Sequence, residues 1–506
     1  MKQSLHIFLK DTRRFYPEIL LSLVILVTFV RLYPENWGAH VLSDRLPSWT
    51  VGVIVALVPV SWWLVISRVI HAESLVGDRQ FWITRPYRWP SLLGAKALFI
   101  LAYVYVPFLV ATMLLLKEGG FHPTMYWRGL LFNLVLATFI AVIPLMVVST
   151  ITSNFGKMTL ALLIIIAFTA GTAYLSDFLP TASSSTDAGE WIWTSLVECA
   201  FIGIIVLQYA RRRTALSRLF VVAMALLLAT FALAGPEDLL MKATYPDRGS
   251  AGSSLRLDFR PEKAESSRIF ESGDREVELI FPVGISGVQL GTAVQANDAK
   301  ITISAQNGQR WTSHWQANVQ TWLPGQTDGD LILKVSRPFF DKVKNLPVTI
   351  DFTVGVTTLK AGSVTRIKLP DDSFTIPGGA ICDRESGYGS VTCRTALRQP
   401  PLMLVGTRFA SQPCSKDHVL VADGGEGIGW VGNTSTDLAE FGITSVWSTA
   451  LSFELLPSSD SRTEKGHYFC PGAILAFAPY RVVDRRRQTF TANLTSLANA
   501  VRNQNM

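Results

Sequence analysis

Residues 129–149 read GLLFNLVLATFIAVIPLMVVS, a run without a single Asp, Glu, Lys or Arg. A helix needs about 20 mostly apolar residues to cross the hydrocarbon core of a bilayer, and this run supplies them. Working outward, comparable runs occupy 17–33, 50–70, 97–116, 158–177, 191–209 and 218–235. Backbone amides in lipid must find partners within their own segment, so helices are the expected form of all seven. The last run is bounded by Arg218 and by Gly235-Pro236. The sequence therefore predicts a membrane α-helical bundle of about seven transmembrane helices in the first half of the chain.

The composition agrees. The chain has 506 residues, 49% of them hydrophobic, with a mean hydropathy of +0.29. A water-soluble surface on a chain this long would pull that mean below zero. The net charge of +7 invites a nucleic-acid reading, but the cations sit in short loops between apolar runs. That pattern orients membrane helices and builds no nucleic-acid face. Lys2, Lys10, Arg13 and Arg14 precede the first run; Arg79, Arg85, Arg88 and Lys96 follow the second; Lys157 follows the fourth; Arg211, Arg212, Arg213 and Arg218 follow the sixth. The alternate loops are poorer in cations. The expected orientation is a cytoplasmic N-terminus, and an odd number of spans then exports residues 236–506. Glu198, mid-way along the sixth run, is the one acidic residue deep in a span. It is a candidate intramembrane polar site, because charge in lipid is costly.

From Ala251 onward the pattern has period two. SLRLDF (254–259), EVELIF (276–281), KITIS (300–304), DLILKV (330–335) and VTIDFTV (348–354) are separated by turn residues such as Asn307-Gly308. Such runs predict an all-β, Ig-like sandwich-type extracytoplasmic domain. Thr491–Arg502 carries Leu494, Leu497 and Val501 at helical spacing, which predicts a short closing helix. Four of the five cysteines, Cys382, Cys393, Cys414 and Cys470, fall in this half. An exported domain with an even number of cysteines suggests disulfides. Proximity favours Cys382 with Cys393 and Cys414 with Cys470, and sequence leaves the other pairings open.

The loop after the second run is the most patterned polar stretch: HAESLVGDRQFWITRPYRWPSLLGAK, residues 71–96. Glu73, Asp78 and Arg79 lie in a short amphipathic stretch, Trp82 and Ile83 are apolar, and Pro86 and Pro90 stop a helix. This is the expected composition of an interfacial helix across the mouth of two spans. The segment resembles the loop between the second and third spans of bacterial type-2 ABC transporter permeases. The residues that carry the resemblance are Glu73, Gly77, Trp82, Thr84, Arg85 and Pro86, followed by Leu92, Leu93 and Lys96. The amphipathic start at Leu5, Ile7, Phe8 and Leu9, with Lys10, Arg13 and Arg14, looks like that family's N-terminal connecting helix. Gln208 to Arg213 looks like its cytoplasmic end after a sixth span.

The resemblance covers residues 1–213 and implies a permease-like six-helix domain in a bacterial inner membrane. It also implies that the loop (Glu73, Gly77, Arg79, Trp82, Thr84, Arg85, Pro86) contacts a separate ABC ATPase subunit, and that permease halves pair as homo- or heterodimers. Residues 214–240, a seventh helix and tether, depart from the family pattern. So do two β-rich parts, 241–370 and 371–506. No G-x-x-x-x-G-K-[ST] phosphate loop is present, since Gly156-Lys157 is followed by Met158. Any ATP is therefore expected on the partner, with no cofactor in this chain. His314, His418 and His467 are isolated and no metalloprotease or serine-hydrolase motif occurs, so neither a catalytic residue nor a metal ligand is assigned. The competing expectation is a membrane-anchored envelope protein whose β-domain binds or senses a ligand without transport.

Overall fold

A computed structural model describes residues 2–32, 48–73, 76, 88–178, 187–234, 237–247, 255–260, 269–272, 276–322, 324, 326–368, 373–376, 379–384, 390–397, 404–411, 418–422, 429–431, 446–457 and 474–497. The chain forms two compact units. One comprises Met1–Thr172, Trp193–Ala229 and Val364–Pro479; the other comprises Ala173–Ile192, Thr230–Ser363 and Tyr480–Met506.

Among the described residues the first half is helical: α1 (Lys2–Arg14), α2 (Tyr16–Leu32), α3 (Ser48–His71), α4 (Trp89–Glu118), α5 (Pro123–Ile151), α6 (Phe155–Phe178), α7 (Asp187–Arg211) and α8 (Thr214–Ala234). A helix covers the described part of each of the seven apolar runs. Length and composition, however, give a smaller count than the expected seven. Among the described residues, four stretches can cross a membrane: Gly52–His71, Trp89–Glu118, Pro123–Ile151 and Phe155–Thr172. The α1–α2 pair, bent by 73°, makes a fifth if it is one span. The described apolar part of α8, Thr214–Thr230, is shorter.

The bend has a local cause. Pro17, in the first turn of α2, has no N–H to continue the α1 ladder and is tolerated only at a helix start. α1 then presents two faces at i, i+4 spacing: Leu5 and Leu9 outward, Ile7 and Asp11 buried. α4 and α5 each contain one π-helical turn, Leu101–Tyr105 and Thr138–Val142. Both turns end just before a proline, Pro107 and Pro144. The proline removes a donor, and the wider turn re-pairs the freed backbone. α4 ends in a Schellman motif: the Phe121 amide donates to the Leu116 carbonyl (2.8 Å) and the Gly120 amide to that of Lys117 (3.0 Å). Gly120 sits at φ +84°, where a side chain would be strained.

Inside the bundle, Trp62 meets Phe108 edge-on at 5.1 Å, and Phe99, Val104, Leu115 and Val147 are buried beside them. The outer surface stays apolar and exposed, with Leu20, Val24, Val27, Leu131, Leu160, Leu163 and Ile166 among many. That is the reverse of a soluble bundle and suits lipid.

The first unit also holds part of the β-rich half. Strands Ile381–Arg384 and Ser390–Ala396 form an antiparallel pair in which Cys382 faces Cys393, and these two form a disulfide. This is the expected pairing. Cys414 and Cys470 lie outside the described residues. Ala396, Leu397 and Ile381 pack into the same apolar cluster as the helices, and Tyr126 Oη donates to the Gly379 carbonyl at 2.8 Å. The disulfide-bridged strands are thus seated on the turn between α4 and α5.

In the second unit, β1 (Arg256–Phe259), β2 (Ile269–Ser272), β3 (Glu276–Ser286), β4 (Thr292–Ala305), β5 (Arg310–Thr312), β6 (Gln316–Trp322), β7 (Asp328–Ser336) and β8 (Val348–Ala361) form antiparallel sheets. β3 pairs with β1, β2 and β7. β4 pairs with β5, β6 and β8, and Tyr480–Leu494 pairs with β8. Alternate residues from both groups (Leu279, Phe281 and Leu333 with Ile301, Ile350 and Phe352) share one apolar core. The five predicted runs fall in β1, β3, β4, β7 and β8. Asn307-Gly308 makes the predicted turn, with Gly308 at φ +83°. The expected closing helix is replaced at its start: strand Ile474–Leu494 continues through Thr491, pairing with β8, and Leu497 enters the core.

A helix, α9 (Glu237–Thr244), is fastened to this sheet. Asp238 Oδ1 accepts from Lys300 Nζ (2.8 Å) and Trp315 Nε1 (3.0 Å). Tyr245 Oη donates to Asp298 Oδ2 at 2.7 Å. The register of β4 against β8 shifts between Ala296 and Asp298, a bulge that sets Asp298 opposite Gly355. The Tyr245 ring lies on Gly355, where a Cβ would stand 2.6 Å from a ring carbon.

Candidate functional site

At one end of the bundle four charged side chains meet below the surface. Lys96, near the start of α4 and in line with buried Leu92, Ala95 and Phe99, is fully buried. Its Nζ donates to Asp11 Oδ2 of α1 at 2.8 Å and to Glu73 Oε2, in the turn just after α3. Lys10 Nζ donates to Glu73 Oε1 at 2.6 Å. Two carboxylates and two ammonium groups balance, and the cluster ties together three segments distant in sequence. Tyr209, buried near the end of α7, lies within electrostatic reach of both Glu73 and Asp11.

The two carboxylates respond differently. Burial pushes the Asp11 carboxyl up and outweighs the pull of Lys96; its Oδ1 is buried without a hydrogen-bond partner among the described residues. Burial acts on Glu73 as well, but Lys96 and Lys10 together overcome it and hold Glu73 below its ordinary value. Glu73 therefore stabilises the fold above the ordinary carboxylate range and loses that contribution as pH falls. Asp11 does the reverse, favouring the fold when protonated and losing that contribution as pH rises.

Neighbouring contacts brace the same end. The Arg218 guanidinium of α8 donates twice to the Ile151 carbonyl at the end of α5 (2.9 and 3.1 Å), a cation at a helix C-terminus. Arg68 of α3 pairs with Glu18 of α2 at 3.1 Å. His71 Nε2 lies 3.2 Å from Thr152 Oγ1. Gln208 bonds Thr214 and Ser217 across the α7–α8 turn.

Of the expected loop residues, Glu73 is in the cluster, and Gly77, Arg79, Trp82, Thr84, Arg85 and Pro86 lie outside the described residues. Glu198 is buried in α7, away from this cluster. Sequence reasoning missed Asp11 and gave Lys10 and Lys96 only orienting or motif roles. A signal was present: Asp11 lies one turn beyond Ile7, on the buried face of an amphipathic helix, where a lone carboxylate needs a buried cation. Among the described residues, no group of three or more His, Cys, Asp or Glu could hold a metal ion.

No protein-family model and no curated protein matches this chain. Fold and composition nonetheless define a class: a membrane protein with a bundle of apolar helices followed by a β-rich half.

Proposed function

We propose that the chain is the permease-like membrane subunit of an ABC-type exporter, coupling ATP hydrolysis on a separate subunit to substrate movement. The observation that carries this reading is the Asp11–Lys96–Glu73–Lys10 cluster. Glu73, in the turn just after α3, and Lys96, two turns into α4, flank the segment between these helices, and α1 is held against the same point. A push delivered at Glu73 or Lys96 would be shared by α1, α3 and α4. The bilayer-sized separation between this cluster and the disulfide-bridged strands supports a cytoplasmic loop and an exported β-half. From Lys96 to Lys117 α4 rises roughly 30 Å at 1.5 Å per residue.

The test is isolation of the protein from native membranes in mild detergent. An ATP-hydrolysing P-loop subunit is expected to accompany the wild type. The Trp82→Ala/Arg85→Ala double variant is expected to fold, to reach the membrane and to lose at least about tenfold of the accompanying ATPase activity, as for loss of an anchor worth more than ~1.4 kcal/mol. ATPase activity absent from the wild-type preparation, or equal in both, contradicts the proposal. It would leave the non-transporting envelope anchor as the better account.

A further inference from the structure

The cluster above occupies one end of the helices. Half-way along, three helices each place a polar side chain at matching depth. Tyr105 lies in the π turn near the middle of Trp89–Glu118, Thr138 in the π turn near the middle of Pro123–Ile151, and Glu198 near the middle of Asp187–Arg211. The Tyr105 and Thr138 hydroxyls are 2.7 Å apart. Thr138 has one proton, and its Oγ1 donates to the Leu134 carbonyl at 2.7 Å. Tyr105 must therefore be the donor between them, which leaves its oxygen free only to accept.

Glu198 is 5% exposed, and its Oε2 is buried without a hydrogen-bond partner among the described residues. It lies within electrostatic reach of Tyr105. No ion pair to it occurs among the described residues. The ionisable groups on surrounding elements sit elsewhere. On α4, Lys96 is about 14 Å and Lys117 about 18 Å along the axis from Tyr105, at 1.5 Å per residue. Lys96 is engaged by Asp11 and Glu73, Tyr103 stacks on Phe8, and Glu118 closes α4. Arg128 opens α5, Arg218 of α8 is bound to Ile151, and on α7 Cys199 is exposed while Tyr209 lies by the cluster. An ionised carboxylate at that depth is costly, and no described side chain donates to its buried Oε2.

We propose that Glu198 is a proton-binding site at the centre of the membrane: buried, with one carboxyl oxygen that finds no partner among the described residues, it carries a proton at neutral pH. This rests on reading α4, α5 and α7 as membrane spans. Losing the proton would leave an uncompensated charge beside the π turns of α4 and α5, the points where those two helices are least regular. Protonation and bundle conformation are thereby linked.

The experiment uses the full chain alone in lipid nanodiscs, so it does not depend on an ATPase partner. Failure here and failure of the exporter reading remain distinguishable. Infrared spectra are titrated from neutral to alkaline pH, following the carbonyl stretch of protonated carboxylic acid. The wild type is expected to show this band at neutral pH and lose it on alkalinisation. Glu198→Gln is expected to remove it, and Asp11→Asn to leave it in place. The titration of the wild type needs no variant to fold. A neutral-pH spectrum without the band, or a band that survives Glu198→Gln in folded protein, overturns the proposal.

Discussion

Replacing Lys96 with Met is expected to cost the protein about 3–5 kcal/mol, because it strands two buried carboxylates whose shared cation has gone. Lys96 is fully buried, Asp11 is fully buried, and Glu73 is nearly so. Lys10 stays beside Glu73, but its side chain is 34% exposed, and its nearest approach to Asp11 is 4.0 Å. It can neutralise one carboxylate, not two. The readout is the apparent melting temperature of the purified chain in detergent. A Lys96→Met/Asp11→Asn/Glu73→Gln triple variant is expected to recover most of the loss, since removing the three buried charges removes their desolvation cost and leaves only the partly exposed Lys10. A single variant that melts with the wild type would show the cluster to be solvated and of little structural consequence.

The second large effect is expected at Gly355. Valine there would place its Cβ 2.6–2.8 Å from the Tyr245 ring, closer than any real contact. The ring has no slack, because Tyr245 is 3% exposed and its hydroxyl is bonded to Asp298 on the adjoining strand. Overpacking costs about 1–3 kcal/mol. Displacing the tyrosine adds the loss of a hydrogen bond to a charged acceptor, about 1.5–3 kcal/mol. α9 would then be held chiefly by Asp238. Limited trypsin digestion at exposed Lys242 reads this directly: Gly355→Val is expected to accelerate cleavage well beyond Tyr245→Phe, which loses only the hydrogen bond. Equal cleavage of all three proteins would mean that α9 is not fastened through Tyr245.

What the sequence made legible follows from the range of the forces involved. Apolar runs such as 129–149 need only their own composition to declare a helix, and each lies within one. Period-two runs such as EVELIF likewise declare strands, because alternation is local. The Cys382–Cys393 pair is 11 residues apart and was accessible to proximity. The ion pairs were not. Asp11 and Lys96 are 85 residues apart, and nothing near either names the other. The π turns before Pro107 and Pro144 were not legible either, because the way a helix re-pairs its backbone around a proline depends on neighbouring helices. At the C-terminus the spacing of Leu494 and Leu497 mimicked a helix, whereas the open edge of β8 captured Thr491–Leu494 as strand.

As an exporter subunit the protein would receive an ATPase on the segment between α3 and α4. The most direct measurement places a photo-cross-linking amino acid at position 82, in place of Trp82, and irradiates intact native membranes. The account predicts one dominant adduct, whose added mass belongs to a P-loop ATPase and whose yield falls in the Lys96→Met background. An adduct to lipid or to this chain alone, with no ATPase captured at any yield, would contradict it.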